Sequence, residues 1–212
     1  KGSFSQFVNW IEIVTSDGQV CRCSNDNNKD LFLWTLGGMG LTGIILKASI
    51  TLKKIESSFI EQTTMTANNI NHAIEILNNE INSSYSVAWV DCFKKGPGLG
   101  RSVVMLGEHA LLDDLPDSFK KIFKIKKRKF NIPFNFPGWF LNKFILKLYN
   151  SFFYYWKKNR QRKAFVDYES YFYPLDSILN WNRIYGKRGF IQFQCVIPKL
   201  NSQSGINEII NE

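Results

Sequence analysis

Histidine and cysteine are scarce in this chain, with two His and four Cys among 212 residues. Cys21 and Cys23 alternate along one apolar-polar stretch, whereas Cys92 and Cys195 stand alone in apolar surroundings, so no disulfide framework is indicated. A zinc site would need a second close pair of Cys or His, and only His72 and His109 exist, so no metal-binding residue is assigned. Reduced thiols in a cytosol-facing protein are expected. Neither a GxGxxG opening a helix nor a GxxxxGK[ST] loop occurs, which removes the Rossmann and P-loop readings. An initiator Met is lacking, no internal repeat is evident, and the last residues, Ile206 to Glu212, read as a helix just begun. The chain is therefore expected to be an internal piece of a longer protein, and no targeting segment can be sought in it.

What is present begins with glycine. Gly37-Gly38-Met39-Gly40-Leu41-Thr42-Gly43-Ile44-Ile45 places four glycines within seven residues, between an apolar segment and an apolar strand. Such a run permits positive φ and removes side chains that would hold a ligand away from the main chain. A tight turn between elements and a cradle for a flat or phosphorylated ligand are both compatible with it.

At 44% hydrophobic residues, the chain can bury a substantial core in one or two domains. Phe7 to Arg22 alternates around Asp17-Gly18, with Trp10, Glu12 and Val14 on one parity and Ile11 and Ile13 on the other, predicting a β-hairpin. Asp26 to Leu36 predicts a short helix carrying Leu31, Trp34 and Thr35 on one face, ended by the glycines, and Ile44 to Ile55 predicts a strand. Composition changes near Glu56 to Phe59. Beyond it, Ile70, Ala73, Ile74 and Leu77 predict an amphipathic helix over Asn69 to Asn82, followed by strands at Ser84 to Phe93 and Phe190 to Ile197. These read as an antiparallel sheet with helices on one face.

The formal net charge of +9 is a local property. From Phe119 to Phe165 there is no Asp or Glu, while Lys and Arg cluster at Lys120 to Lys129 and at Lys157 to Lys163. Between the clusters lies an aromatic stretch from Phe134 to Trp156. A transmembrane helix needs about 20 mostly apolar residues, and Pro137, Gly138, Lys143 and Lys147 interrupt this one. Asn142, Lys143, Lys147 and Asn150 gather on one helical face and Phe140, Phe144, Leu148 and Phe152 on another, which predicts an interfacial helix on an anionic membrane surface. Basic residues among aromatics also suit single-stranded nucleic acid, and a solvated charged loop over a core helix is the plain alternative. The Leu and Ile content favours lipid, and no nucleic-acid partner is expected.

Gly2-Ser3-Phe4-Ser5, Ile11 to Gly18, Asp30 to Leu36 and the glycine run together resemble the second half of the FAD-binding domain of the vanillyl-alcohol-oxidase-type (VAO/PCMH-type) flavoprotein oxidoreductases. The likeness continues through Tyr85-Ser86-Val87-Ala88-Trp89-Val90-Asp91, Leu99-Gly100-Arg101, Tyr173-Pro174-Leu175-Asp176, Trp181 to Gly186 and Gly189 to Pro198, in the order of the substrate domain of the decaprenylphosphoryl-β-D-ribose 2-oxidase group. The resemblance implies an α+β architecture: residues 1–57 as the C-terminal part of an FAD-binding domain, and 58–212 as a truncated antiparallel-sheet substrate domain with a basic aromatic insert at 119–165.

The same resemblance implies FAD as cofactor, held by Gly40, Thr42, Gly43 and Ile45 with Gly2 and Ser3 nearby. Trp89 then lines the substrate pocket, with Gln192 and Gln194, which would share one face of a strand. Phe172 falls where mycobacterial members carry a pocket tyrosine, and losing that hydroxyl puts identical substrate choice in doubt. The implied reaction is oxidation of a sugar CH–OH to a ketone on a polyprenyl-phosphate-linked pentose, the first half of an epimerisation in cell wall or polysaccharide biosynthesis. An NAD-dependent short-chain reductase would be the partner, and the location would be peripheral, on the cytoplasmic side of the inner membrane. No catalytic base is identified, and the isolated stretch is expected to bind FAD weakly or not at all. A soluble aldonolactone or alditol oxidase of the same fold, and a non-catalytic membrane or nucleic-acid binding module, are the alternatives.

Overall fold

The computed structural model describes residues 3–79, 83–120, 129–158 and 163–211. The chain divides into two compact units, Lys1–Ile55 and Glu56–Glu212.

In the first unit, β1 (Val8–Val14) and β2 (Val20–Ser24) form an antiparallel hairpin in which Ile11 lies opposite Cys23 and Ile13 opposite Cys21. Gly18, at φ +79°, closes the turn, a conformation that costs glycine little. α1 (Lys29–Thr35) follows, and β3 (Ile44–Ile50) returns to the other side of β1, giving a three-stranded antiparallel sheet of order β2-β1-β3. The core is Val8, Ile11, Ile13, Cys23 and Phe32, with Leu31 and Leu36 against it. Of the predicted helix face, Leu31 and Thr35 do pack inward. Trp34, in contrast, is 69% exposed, and Phe32 fills the core.

In the second unit, β4 (Phe59–Ala67), α2 (Ile70–Asn79), β5 (Tyr85–Val90) and β6 (Ser102–His109) build most of an antiparallel sheet. α3 (Asp117–Lys120) and the two-residue β7 (Phe130–Asn131) lead to α4 (Lys143–Lys158). β8 (Lys163–Asp167) then pairs with β4, completing the order β5-β6-β4-β8. Lys163, Ala164 and Phe165, at the end of the basic stretch, are therefore ladder residues. α5 (Tyr168–Phe172), β9 (Ile178–Leu179, parallel to β7) and α6 (Ser202–Asn211) finish the unit.

α2 packs Ile70, Ala73 and Ile76 onto Ala67, Val104 and Leu106, with Ile206 and Ile210 of α6 on the same cluster. α4 supplies a second helical layer on the opposite face. Its Phe153 meets Trp89, whose side chain points away from Ala88 and Val90.

One predicted strand is absent. Residues 189–198 make no ladder, and Ile191 (97% exposed), Phe193 (83%) and Val196 (97%) project into solvent. The alternation there has strand character, but a strand needs a neighbour for its N–H and C=O groups, and no described strand lies beside it.

Candidate functional site

In the first unit, the turn after α1 is held by glycine for two different reasons. Gly37 (φ +86°) and Gly40 (φ +77°) adopt left-handed backbone with open space where a side chain would stand. Gly43 is a packing requirement: at φ +146° a Cβ would strike the Val14 carbonyl oxygen and the Ile13 side chain. The Thr42 hydroxyl lies 2.9 Å from that of Thr35, which donates at 2.6 Å to the Leu31 carbonyl. Thr42 thus ties the turn to α1. Ile45 is 49% exposed and Met39 and Leu41 are 93% and 90% exposed, so the glycine turn and the start of β3 present a bare, largely apolar surface. Ser3 accepts from the Ser5 backbone N–H at 3.3 Å and the Ser5 hydroxyl at 2.8 Å, starting a short helical turn. Gly2 lies outside the described residues.

In the second unit, Trp89 is half-buried with its ring 4.8 Å from Phe153. Tyr85 stands four residues earlier on the same face of β5, about 13 Å away by strand rise. There it packs edge-on against Phe172 at 4.8 Å and His109 at 5.5 Å. Tyr171 joins this group, its hydroxyl donating to the Met105 carbonyl at 3.2 Å. Burial, the Glu108 carboxylate and Tyr85 push the Tyr171 phenol up to about 12. Phe172 is thus in an aromatic cluster at one end of β5 and Trp89 is at the other. Gln192 and Gln194 lie on the unladdered exposed segment, so the shared strand face predicted for them does not exist, for want of a partner strand. Trp89, Phe172 and the two amides are not brought to one cavity.

A polar centre that spacing alone did not reveal sits where β5 ends. Asp91 (1% exposed) and Arg101 (5%) form a buried pair, with Arg101 Nη2 and Nε at 2.8 and 2.9 Å from Asp91 Oδ2. The other carboxylate oxygen accepts from the Phe93 backbone N–H at 3.0 Å and from Asn150 Nδ2 at 2.8 Å. Arg101 Nη2 also donates to Ser151 Oγ at 2.8 Å, and the guanidinium lies 4.8 Å from the Tyr154 ring centroid. Tyr154 in turn reaches the Ala67 carbonyl at 3.2 Å. A buried charge pair is tolerated when its remaining donors and acceptors find partners, and here Asn150 and Ser151 of α4 and the Phe93 N–H supply them.

These bonds orient α4. Asn142 starts it, its side-chain oxygen accepting from the Ile145 N–H at 2.9 Å. Asn150, Ser151 and Tyr154 then face the sheet, while Phe144, Leu148, Phe152 and Tyr155 form an outward row that is 75%, 62%, 68% and 55% exposed. The helix thus shows water an apolar row beside the exposed Lys143, Lys147 and Lys158, while Ile145, Phe153 and Tyr154 are more covered. No described helix is long and apolar enough to cross a membrane. Lys121 to Arg128, Arg160 and Arg162 of the two basic clusters lie outside the described residues. Among the described residues, no group of three His, Cys, Asp or Glu side chains could hold a metal ion.

No protein-family model matches the chain. It is 33% identical over 202 residues to the decaprenylphosphoryl-β-D-ribose oxidase of Mycolicibacterium smegmatis, an alignment covering 93% of this chain and 44% of the oxidase. The chain therefore spans under half the length of that relative. It is also 52% identical over 46 residues to cytokinin dehydrogenase 4 of Oryza sativa subsp. japonica, covering 22% of this chain and 9% of the enzyme. A 6-hydroxy-D-nicotine oxidase structure from Arthrobacter nicotinovorans matches 51% of this chain and 25% of its own at 20% identity and a TM-score of 0.33.

Proposed function

From the chain's kinship with the FAD-linked oxidoreductases of the vanillyl-alcohol-oxidase type, we propose that it forms part of a flavoenzyme oxidising a sugar CH–OH to a ketone on a polyprenyl-phosphate-linked pentose. The alignment with the decaprenylphosphoryl-ribose oxidase over 93% of this chain is the observation that carries the proposal. FAD supplies the hydride acceptor when bound. The chain's own residues fit such a group at the glycine turn. Gly40 leaves an open main-chain surface and Ile45 offers a half-exposed apolar side chain, as a flat ring system requires. Thr42 and Gly43 support that surface from beneath, through the Thr35 hydroxyl and the close passage of Val14. Gly2 and Ser3 belong to the same locus on the strength of the family resemblance.

In the second unit, Trp89, Phe172, Gln192 and Gln194 are the proposed substrate-binding residues. The amides are exposed and free to bond sugar hydroxyls. The Phe172 ring can offer only an apolar contact. The hydroxyl proton of the alcohol must leave as the hydride does, and no described residue is assigned as its acceptor.

The outward apolar row of α4, with Lys143, Lys157 and Lys158 at its ends, supports peripheral attachment to an anionic bilayer, where such a substrate resides. We place the protein on the cytoplasmic side of the inner membrane, with an NAD-dependent reductase taking up the keto sugar. The test is the absorption spectrum of the purified full-length protein. Flavin bands that bleach on anaerobic addition of a polyprenylphosphoryl pentose are expected, and a protein isolated without flavin bands, and acquiring none when FAD is added, overturns the reading.

A further inference from the structure

A cavity lies between the loop that follows β5 and the inner edge of α4. It opens to solvent, holds about 350 Å³ and is lined by Asp91, Phe93, Lys94, Lys95, Arg101, Lys147 and Ser151. We propose that it binds the phosphate group of a lipid-linked phosphate ester.

Charge is the first argument. Asp91 is fully engaged by Arg101, Asn150 and the Phe93 N–H, so its carboxylate is compensated within the wall of the cavity. Lys94, Lys95 and Lys147 form no ion pair with a described residue, and they bring three uncompensated cations to one concave site. Cations gathered this way, with a hydroxyl at Ser151, suit an anion with several acceptor oxygens. The second argument is rigidity. Arg101, Asn150 and Ser151 are locked by the buried network, so the floor is preorganised and only the lysine side chains need order on binding.

Position is the third argument, and it selects a lipid. Lys147 and Ser151 line the cavity from the same helix that turns Phe144, Leu148 and Phe152 outward. An amphiphile could therefore put its phosphate in the cavity while its chain follows the exposed row. The proposal deepens the membrane reading above but needs no flavin, so either can fail alone.

Two water-soluble probes, dihexanoyl phosphatidic acid and farnesyl phosphate, separate the two sources of such a phosphate when each is titrated into the full chain below its micellar range. Saturable one-to-one binding is expected, with inorganic phosphate competing. Preference for the prenyl phosphate assigns the site to the substrate carrier, and preference for phosphatidic acid assigns it to the bilayer. Substituting Lys94, Lys95 and Lys147 with Gln is expected to weaken binding at least about tenfold, whereas Gln at Lys143, Lys157 and Lys158 changes it by less than about threefold. All six lysines are on the surface of the fold, and unchanged melting of both variants shows that folding is not what was altered. Equal losses in the two variants, or binding indifferent to inorganic phosphate, overturn the proposal.

Discussion

At the scale of single residues, the buried pair of Arg101 and Asp91 is costly to disturb. Replacing Arg101 with Met leaves an uncompensated carboxylate 1% exposed, and a loss of about 3–5 kcal/mol is expected in denaturant unfolding. Arg101→Met combined with Asp91→Leu removes both charges, and much of that loss is expected to return. A double variant no more stable than the single one would show that the hydrogen bonds to Asn150 and Ser151 dominate instead. Tyr171 provides a test by pH. Its phenol is pushed up to about 12, whereas an unfolded tyrosine ionises near about 10. The neutral form is the one the fold prefers, so its contribution is complete below about pH 10 and is lost as pH rises towards about 12. Burial pushes the Tyr154 phenol up as well, so phenolate absorbance should show a late-titrating fraction, and Tyr171→Phe should remove its own part of that fraction. Neither residue's environment was legible beforehand. Arg101 and Asp91 are ten positions apart and meet only because β6 returns beside β5, while the helical spacing of Leu31, Trp34 and Thr35 holds for Leu31 and Thr35 but leaves Trp34 in solvent and Phe32 in the core.

At the scale of elements, the hairpin was legible because Asp17-Gly18 specifies a turn and Ile11 and Ile13 share a parity. The helix α2 was legible because Ile70, Ala73 and Leu77 repeat at helical spacing. β6 carries no such signal, although it is an inner strand of the larger sheet. Its Ser102, Val103 and Val104 are all buried, and a strand covered on both faces loses the alternation that betrays a half-buried one. At 190–197 the reverse holds, since alternation is present and no ladder forms. For α4 the two faces were separable in the sequence. Which face meets the protein was settled by Asn150 and Ser151 finding the Asp91–Arg101 pair. A prediction belongs to this helix. Phe144→Ser and Phe152→Ser change residues that are 75% and 68% exposed, so stability should move by no more than about 0.5 kcal/mol. Binding to anionic vesicles should nevertheless fall by about tenfold or more, since each exposed Phe would bury apolar area in the lipid worth about 1.5–3 kcal/mol. Sedimentation with vesicles measures the second effect and thermal melting the first. Full retention of vesicle binding would detach the outward row from membrane attachment.

At the scale of the whole molecule, charge and apolar surface make separable contributions to the same association. The net charge of +9 is concentrated in the stretch from Phe119 to Phe165, and the described lysines of that stretch include Lys143, Lys147, Lys157 and Lys158 on α4 itself. Attraction of these cations to anionic headgroups acts over a Debye length, which contracts from about 10 Å at about 0.1 M salt to about 3 Å at about 1 M. Insertion of Phe144, Leu148 and Phe152 does not depend on that screening. Raising salt should therefore weaken vesicle binding steeply at first and then leave a plateau. In the Phe144→Ser, Phe152→Ser double variant the plateau should vanish, while the salt-sensitive part should survive. Were the association purely electrostatic, as for a polyanion such as nucleic acid, binding would keep falling with salt in both proteins and no plateau would separate them. Vesicle titrations of the two proteins across that salt range thus decide whether α4 enters the lipid or is merely held near it.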